Sequence, residues 1–110
     1  MVILIKDLEE FDGYLKSSGD KLIVVDFTAT WCGPCKMIGP VFDSASENPA
    51  YADVIFLKVD VDTCEDVSTK CKISCMPTFI FFRNGVQIDS FSGANSTKLM
   101  EKLDAHAKRQ

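Results

Sequence analysis

Leu22-Ile23-Val24-Val25-Asp26-Phe27, followed three residues later by Trp31-Cys32-Gly33-Pro34-Cys35, is the stretch on which the rest of the chain is organised. The first run is continuous, apolar and rich in β-branched residues, the mark of a central strand covered on both faces. The second places two cysteines three positions apart where that strand gives way to a helix. Both sulfurs then lie on one face of the first helical turn, close enough to bridge. A helix N-terminus offers free backbone N–H groups and the positive end of the helix dipole, so Cys32 ionises more readily than a free thiol and is the nucleophile. Cys35, one turn deeper, is placed to resolve a mixed disulfide formed on Cys32. Proline suits the first helical turn, and Gly33-Pro34 restricts the reduced pair in a way that favours a reductant over an oxidant. Asp26 interrupts an apolar strand, where desolvation raises a carboxyl pKa and permits proton exchange near neutrality.

Working outward, Val2 to Ile5 is a short apolar segment, and Asp7 caps a helix carrying Leu8, Phe11 and Leu15. Ser17-Ser18-Gly19-Asp20 ends it. Beyond the dithiol, Met37, Ile38, Val41, Phe42 and Ala45 form the apolar side of a second helix, in which Pro40 predicts a kink. After Asn48-Pro49, Val54 to Leu57 with Val59 is a second buried strand, and the strand–helix–strand order implies parallel neighbours. Asp62-Thr63 is placed to cap a short helix reaching about Lys70. Met76-Pro77 leads into the strand Thr78 to Phe82, Arg83-Asn84-Gly85 is a hairpin turn, and Val86 to Phe91 returns antiparallel. Gly93 breaks that strand, and Asn95 or Ser96 caps a terminal helix with Leu99, Met100, Leu103 and Ala107 on one side. The expected order is β-α-β-α-β-α-β-β-α, an α/β fold with a central mixed five-stranded sheet flanked by four helices.

A chain of 110 residues, 46% hydrophobic, has room for one core, so residues 1–110 read as a single domain. A net charge of −4 with scattered Lys and Arg argues against a nucleic-acid groove. No segment approaches the ~18–20 apolar residues of a membrane span, and Val2 to Ile5 falls short of a signal-peptide core. Five cysteines, an odd number, point to reduced or redox-active thiols in a reducing intracellular compartment rather than a secreted disulfide framework. Asn95-Ser96-Thr97 reads as a helix start rather than a glycosylation acceptor. A zinc site joining Cys32 and Cys35 to Cys71 and Cys75 is disfavoured, because the 35 intervening residues far exceed the ~12–20 of common zinc modules. Cys64 and Cys71, seven apart, lie about 10 Å apart along one helix, so bridging them requires that helix to unwind. His106 reads as solvated.

Val24-Val25-Asp26-Phe27, Ala29-Thr30-Trp31-Cys32-Gly33-Pro34-Cys35-Lys36-Met37, Val59-Asp60-Val61-Asp62, Cys75-Met76-Pro77-Thr78-Phe79 and Phe91-Ser92-Gly93-Ala94-Asn95 closely resemble the thioredoxin family. The match covers nearly the whole chain. It is nearest to the animal cytosolic type, which shares cysteines at the positions of Cys64, Cys71 and Cys75. The resemblance implies the thioredoxin fold, cytoplasmic residence and a general protein-disulfide reductase that maintains redox homeostasis without a bound cofactor. NADPH and FAD would act only through the partner thioredoxin reductase. Implied clients are peroxiredoxin, methionine sulfoxide reductase and ribonucleotide reductase.

The resemblance also implies that Asp26 deprotonates Cys35 and that the Met76–Pro77 peptide is cis and faces the dithiol. A client segment would then pair with the backbone of Met76. Trp31 would form a partly exposed lid, with Asp62 accepting its indole N–H, and its fluorescence would respond to reduction. Gly33, Pro34 and Gly93 complete the implied client surface. Cys64, Cys71 and Cys75 would be regulatory, with Cys75 able to link a dimer of an otherwise monomeric protein. This chain departs from the animal pattern at Lys58 and Gly39, where relatives often carry an acid and a lysine. If the Lys58 strand lies beside that of Asp26, its ammonium lowers the Asp26 pKa, and Lys58→Glu would raise it. The competing reading is a redox-sensing interaction module that uses Cys64, Cys71 and Cys75 more than the dithiol.

Overall fold

The computed structural model describes residues 1–107. Five strands, β1 (Val2–Leu4), β2 (Ile23–Thr28), β3 (Ile55–Asp60), β4 (Thr78–Arg83) and β5 (Val86–Ser92), form one sheet in the order β1-β3-β2-β4-β5. Four helices, α1 (Leu8–Ser17), α2 (Gly33–Ser46), α3 (Glu65–Lys70) and α4 (Ser96–Ala107), lie between and after them in the expected order. β1 and β2 run parallel to β3, and β4 runs antiparallel to both β2 and β5.

Alternation along the strands decides what each helix covers. Ile23, Val25 and Phe27 of β2 join Leu57, Val59, Ile80, Phe11 and Val67 in one buried cluster, which places α1 and α3 over that face. Val24 of β2 joins Phe56, Phe79, Phe42 and Leu103 in the other, which α2 and α4 cover. Asp26 has the parity of Val24, so it points toward the dithiol helix. Phe42 is fully buried against the rings of Phe56 and Phe79, with centroids 5.2 and 5.7 Å away. Its truncation to alanine would cost about 3–5 kcal/mol and loosen α2 above Asp26.

The ends of the elements follow local chemistry. Asp7 accepts the Glu10 N–H at 2.9 Å, and Glu10 reaches back to the Lys6 N–H at 2.8 Å, closing the first turn of α1. Asn84 and Gly85 hold φ of 55° and 77°, as a two-residue hairpin of this hand requires. Asn95 accepts the Lys98 N–H at 2.9 Å and caps α4.

α2 spans Gly33 to Ser46 with Pro40 inside it. Other expectations are corrected. α3 begins at Glu65, with Cys64 at its cap position making no side-chain cap bond. Asp62 and Thr63 lie ahead of it in a turn, where Asp60 Oδ1 accepts the Asp62 N–H. A 3-10 turn over Pro49–Tyr51 precedes β3. His106 is engaged rather than merely solvated: its Nε2 lies 2.8 Å from Asp89 Oδ2, its ring packs on Phe81, and its carbonyl accepts from Arg83. Lys102 Nζ reaches the same Asp89 oxygen at 2.7 Å, so this cluster fastens α4 to β5.

Candidate functional site

Cys32 occupies the cap position of α2 in extended backbone, and Pro34 sits in the first turn where its missing N–H has no helical partner to lose. Cys32 and Cys35 form a disulfide with Cα atoms 5.3 Å apart. The Cys35 N–H donates to Cys32 Sγ at 3.2 Å, so a free helix-end donor already addresses the sulfur that would carry negative charge after reduction. Across from it the Met76–Pro77 peptide is cis, and the Met76 carbonyl oxygen lies 3.8 Å from Cys32 Sγ. The Gly93 N–H donates to the Pro77 carbonyl at 2.9 Å, joining the end of β5 to the same rim. Gly93 has φ of +97°, which side-chain-bearing residues rarely adopt. Trp31 donates from Nε1 to Asp62 Oδ2 at 2.8 Å while the residue stays 66% exposed. Trp31, Cys32, Met76, Pro77 and Gly93 thus share one rim, with Gly33 and Pro34 exposed beside it.

Total exposure does not separate the two sulfur-bearing residues, at 5% for Cys32 and 4% for Cys35. What they face does. Cys32 meets the Met76 loop, whereas Cys35 borders a groove of about 830 Å³ between α2 and the β1–β3 edge, which Lys58 and Asp43 also line.

Asp26 is 2% exposed and its Oδ1 accepts no hydrogen bond from the described residues. Burial pushes its carboxyl up from 3.8 to about 7; Lys58 pulls it down and Asp43 adds to the rise. Lys58 is the direct cross-strand partner of Asp26, so the sheet itself sets an ammonium-bearing side chain beside the buried acid. A carboxyl in this range both accepts and returns a proton near neutral pH.

The thioredoxin family model matches residues 2–105. This chain belongs to the thioredoxin family. It is 57% identical to the thioredoxin of Ictalurus punctatus, over 96% of this chain and 99% of that one. It is likewise 57% identical to the thioredoxin of Homo sapiens, over 90% and 92%. Among solved structures it superposes on Malassezia sympodialis thioredoxin with a TM-score of 0.92, at 46% identity over 97% and 94% of the two chains. A further match comes from work on thiol resolution in a yeast mitochondrial 1-Cys peroxiredoxin through glutathione and thioredoxin systems. Its TM-score is 0.86, at 36% identity over 94% of each chain. The chain is therefore a thiol–disulfide oxidoreductase whose redox-active pair, Cys32 and Cys35, reduces disulfides. Among the described residues, no helix is long and apolar enough to cross a membrane.

Around the thioredoxin dithiol the sequence reading missed two features. Met37, assigned to the apolar side of α2, is 76% exposed. Its position next to buried Ile38 gave the signal, because neighbours on a helix point about 100° apart. Asp43 carries no motif and had no signal. The other cysteines differ among themselves. Cys64 is buried with Sγ 3.2 Å from the Ile5 carbonyl, and burial pushes its thiol up. Cys71, at the opposite end of α3, is half-buried and also raised by burial. Cys75 is exposed, and hydrogen bonds with Ser92 and then Thr78 hold its thiol below the ordinary range. Cys64 and Cys71 cap opposite ends of one helix, so a bridge between them requires α3 to rearrange.

Proposed function

We propose that the reductase cycle runs through named roles at this rim. The Cys32 thiolate attacks a client disulfide, forming a mixed disulfide and releasing one client thiolate. The Asp26 carboxylate then takes the proton of the Cys35 thiol, and the Cys35 thiolate attacks Cys32 Sγ. That attack closes the Cys32–Cys35 disulfide and expels the second client thiolate. An extended client segment lies against the backbone of Met76, held by the Pro77 loop, Gly93 and the exposed face of Trp31, Gly33 and Pro34. Because such pairing reads main chain, one rim serves many clients.

The observation that supports this reading is a carboxyl buried on the face of the sheet that α2 covers, with its proton affinity raised to about 7. Recharging falls to a thioredoxin reductase that delivers NADPH electrons through flavin. A peroxiredoxin is the first client to try, with methionine sulfoxide reductase and ribonucleotide reductase after it. Residues 1–110 act as a single cytoplasmic domain, and Cys64, Cys71 and Cys75 modulate it, Cys75 by an intermolecular disulfide.

Insulin disulfide reduction coupled to NADPH and thioredoxin reductase tests the cycle. Stopped-flow traces then separate its steps: Asp26→Asn slows resolution by Cys35 and leaves the first attack by Cys32 much less affected. Equal slowing of both steps rejects the assignment of Asp26.

A further inference from the structure

The rim that would receive a client and the groove behind α2 are separate surfaces. None of Trp31, Cys32, Met76, Pro77 or Gly93 lines the groove, yet Cys35 borders it. Its charged groups are Lys36 and Asp43 from α2 and Lys58 and Asp60 from β3, while β1 presents only Val2 and Leu4. Asp60 is turned to its own loop, where it accepts the Asp62 N–H at 2.9 Å. Lys58, the cross-strand neighbour of Asp26, faces an acid on the opposite wall, Asp43.

We propose that Asp43 is a positioning residue for the thiol exchange: across the groove its carboxylate opposes Lys58 and so holds Asp26 able to carry a proton at neutral pH while a client covers the opposite rim. This inference rests on the role given above to Asp26. A neighbouring ammonium alone draws a carboxyl toward its ordinary acidity and makes it a weaker base for a thiol. A second carboxylate facing the same groove acts in the reverse sense, and burial, Lys58 and Asp43 are the influences on Asp26 in that order. Because Asp43 is exposed, its action passes through solvent and is open to screening by salt. Asp43 touches neither sulfur; it acts only through the proton affinity of Asp26.

NMR titration of the Asp26 carboxyl in the reduced protein, paired with the pH profile of single-turnover resolution by Cys35, tests this. Asp43→Asn lowers the Asp26 midpoint by about half a unit, the order expected of one charge acting through solvent. The resolution profile moves the same way. Lys58→Met raises both, the double variant falls between the two single variants, and Asp43→Glu keeps the parent behaviour. High salt shrinks the Asp43 effect. Glu101→Gln, an exposed acid on α4 outside the groove, is the control.

An Asp43→Asn titration indistinguishable from that of Glu101→Gln overturns the inference, as does a lowered midpoint with an unmoved resolution profile. Asp26→Asn run alongside tells the two readings apart. If it slows resolution while Asp43→Asn does nothing, only the role of Asp43 falls; if it leaves resolution unchanged, the roles of Asp26 and Asp43 fall together.

Discussion

Burying Asp26 costs the fold stability whenever its carboxyl is ionised, and replacing it with asparagine should remove that cost. The carboxyl is raised from 3.8 to about 7, with burial the leading cause. At about 1.4 kcal/mol per pKa unit, this amounts to about 4 kcal/mol across the full titration. The sign follows from proton linkage. Between these two values the folded protein holds a proton that the unfolded chain has released, so stability falls as pH rises. The favourable contribution is complete below pH ~4 and gone once pH passes about 7. From pH 5 to pH 8.5 the parent should therefore lose about 3 kcal/mol through this group alone. Asp26→Asn has no such titration, and its amide is nearly isosteric with the protonated acid. Urea unfolding of the oxidised proteins at several pH values provides the assay. The stability of Asp26→Asn relative to the parent should grow by 2 kcal/mol or more across that window. Parallel stability curves for the two proteins would refute the reasoning, because they would mean that Asp26 titrates alike in the folded and unfolded states.

Two other perturbations probe the frame around the site. In Asp89 the rise due to burial is outweighed by hydrogen bonds from His106 and Lys102, which leave the carboxyl at about 2. Its stabilisation is therefore present above pH ~4 and lost as pH falls toward 2. Lys102 and His106 are both partly exposed, so Asp89→Asn should cost only about 1 kcal/mol at neutral pH. The cost should fade in acid; a gap between variant and parent that persists unchanged at low pH counts against an electrostatic origin. Gly93→Ala meets no atom within 4 Å at its new Cβ, so its cost is confined to the backbone at φ +97°. That conformation costs an alanine about 1–2 kcal/mol, read as an earlier urea midpoint. An unchanged midpoint would show that the loop relaxes at no cost.

The element order and the dithiol were legible in the sequence because each rests on local physics. Strand β2 is a continuous apolar run, Asn84-Gly85 is a turn dipeptide, Asp7 and Asn95 are helix caps, and a Cys-x-x-Cys at a strand-to-helix junction has few other uses. The errors fall where local and tertiary demands diverge. Met37 is apolar and lies among core positions, yet it belongs to the exposed side of α2, where an apolar side chain beside the dithiol is available to a client. Asp62 has the side chain of a helix cap but lies ahead of α3, and of its two expected roles only that of acceptor for the Trp31 indole holds. His106 finds Asp89 across the α4–β5 contact, a pairing that no spacing along the chain encodes. Asp43 is the sharpest case. Lys58 was legible as the strand neighbour that lowers Asp26, whereas Asp43 is an unremarkable charge on α2, and only the packing of that helix against the sheet edge turns it toward the groove that Lys58 lines. Hydrophobic periodicity marks which face of an element is buried, but it carries no record of which charges then confront each other. A charge brought up by helix packing, such as Asp43, is therefore what a sequence conceals, while the acid stands out as a lone carboxylate in an apolar strand and Lys58 follows from the pairing of its strand.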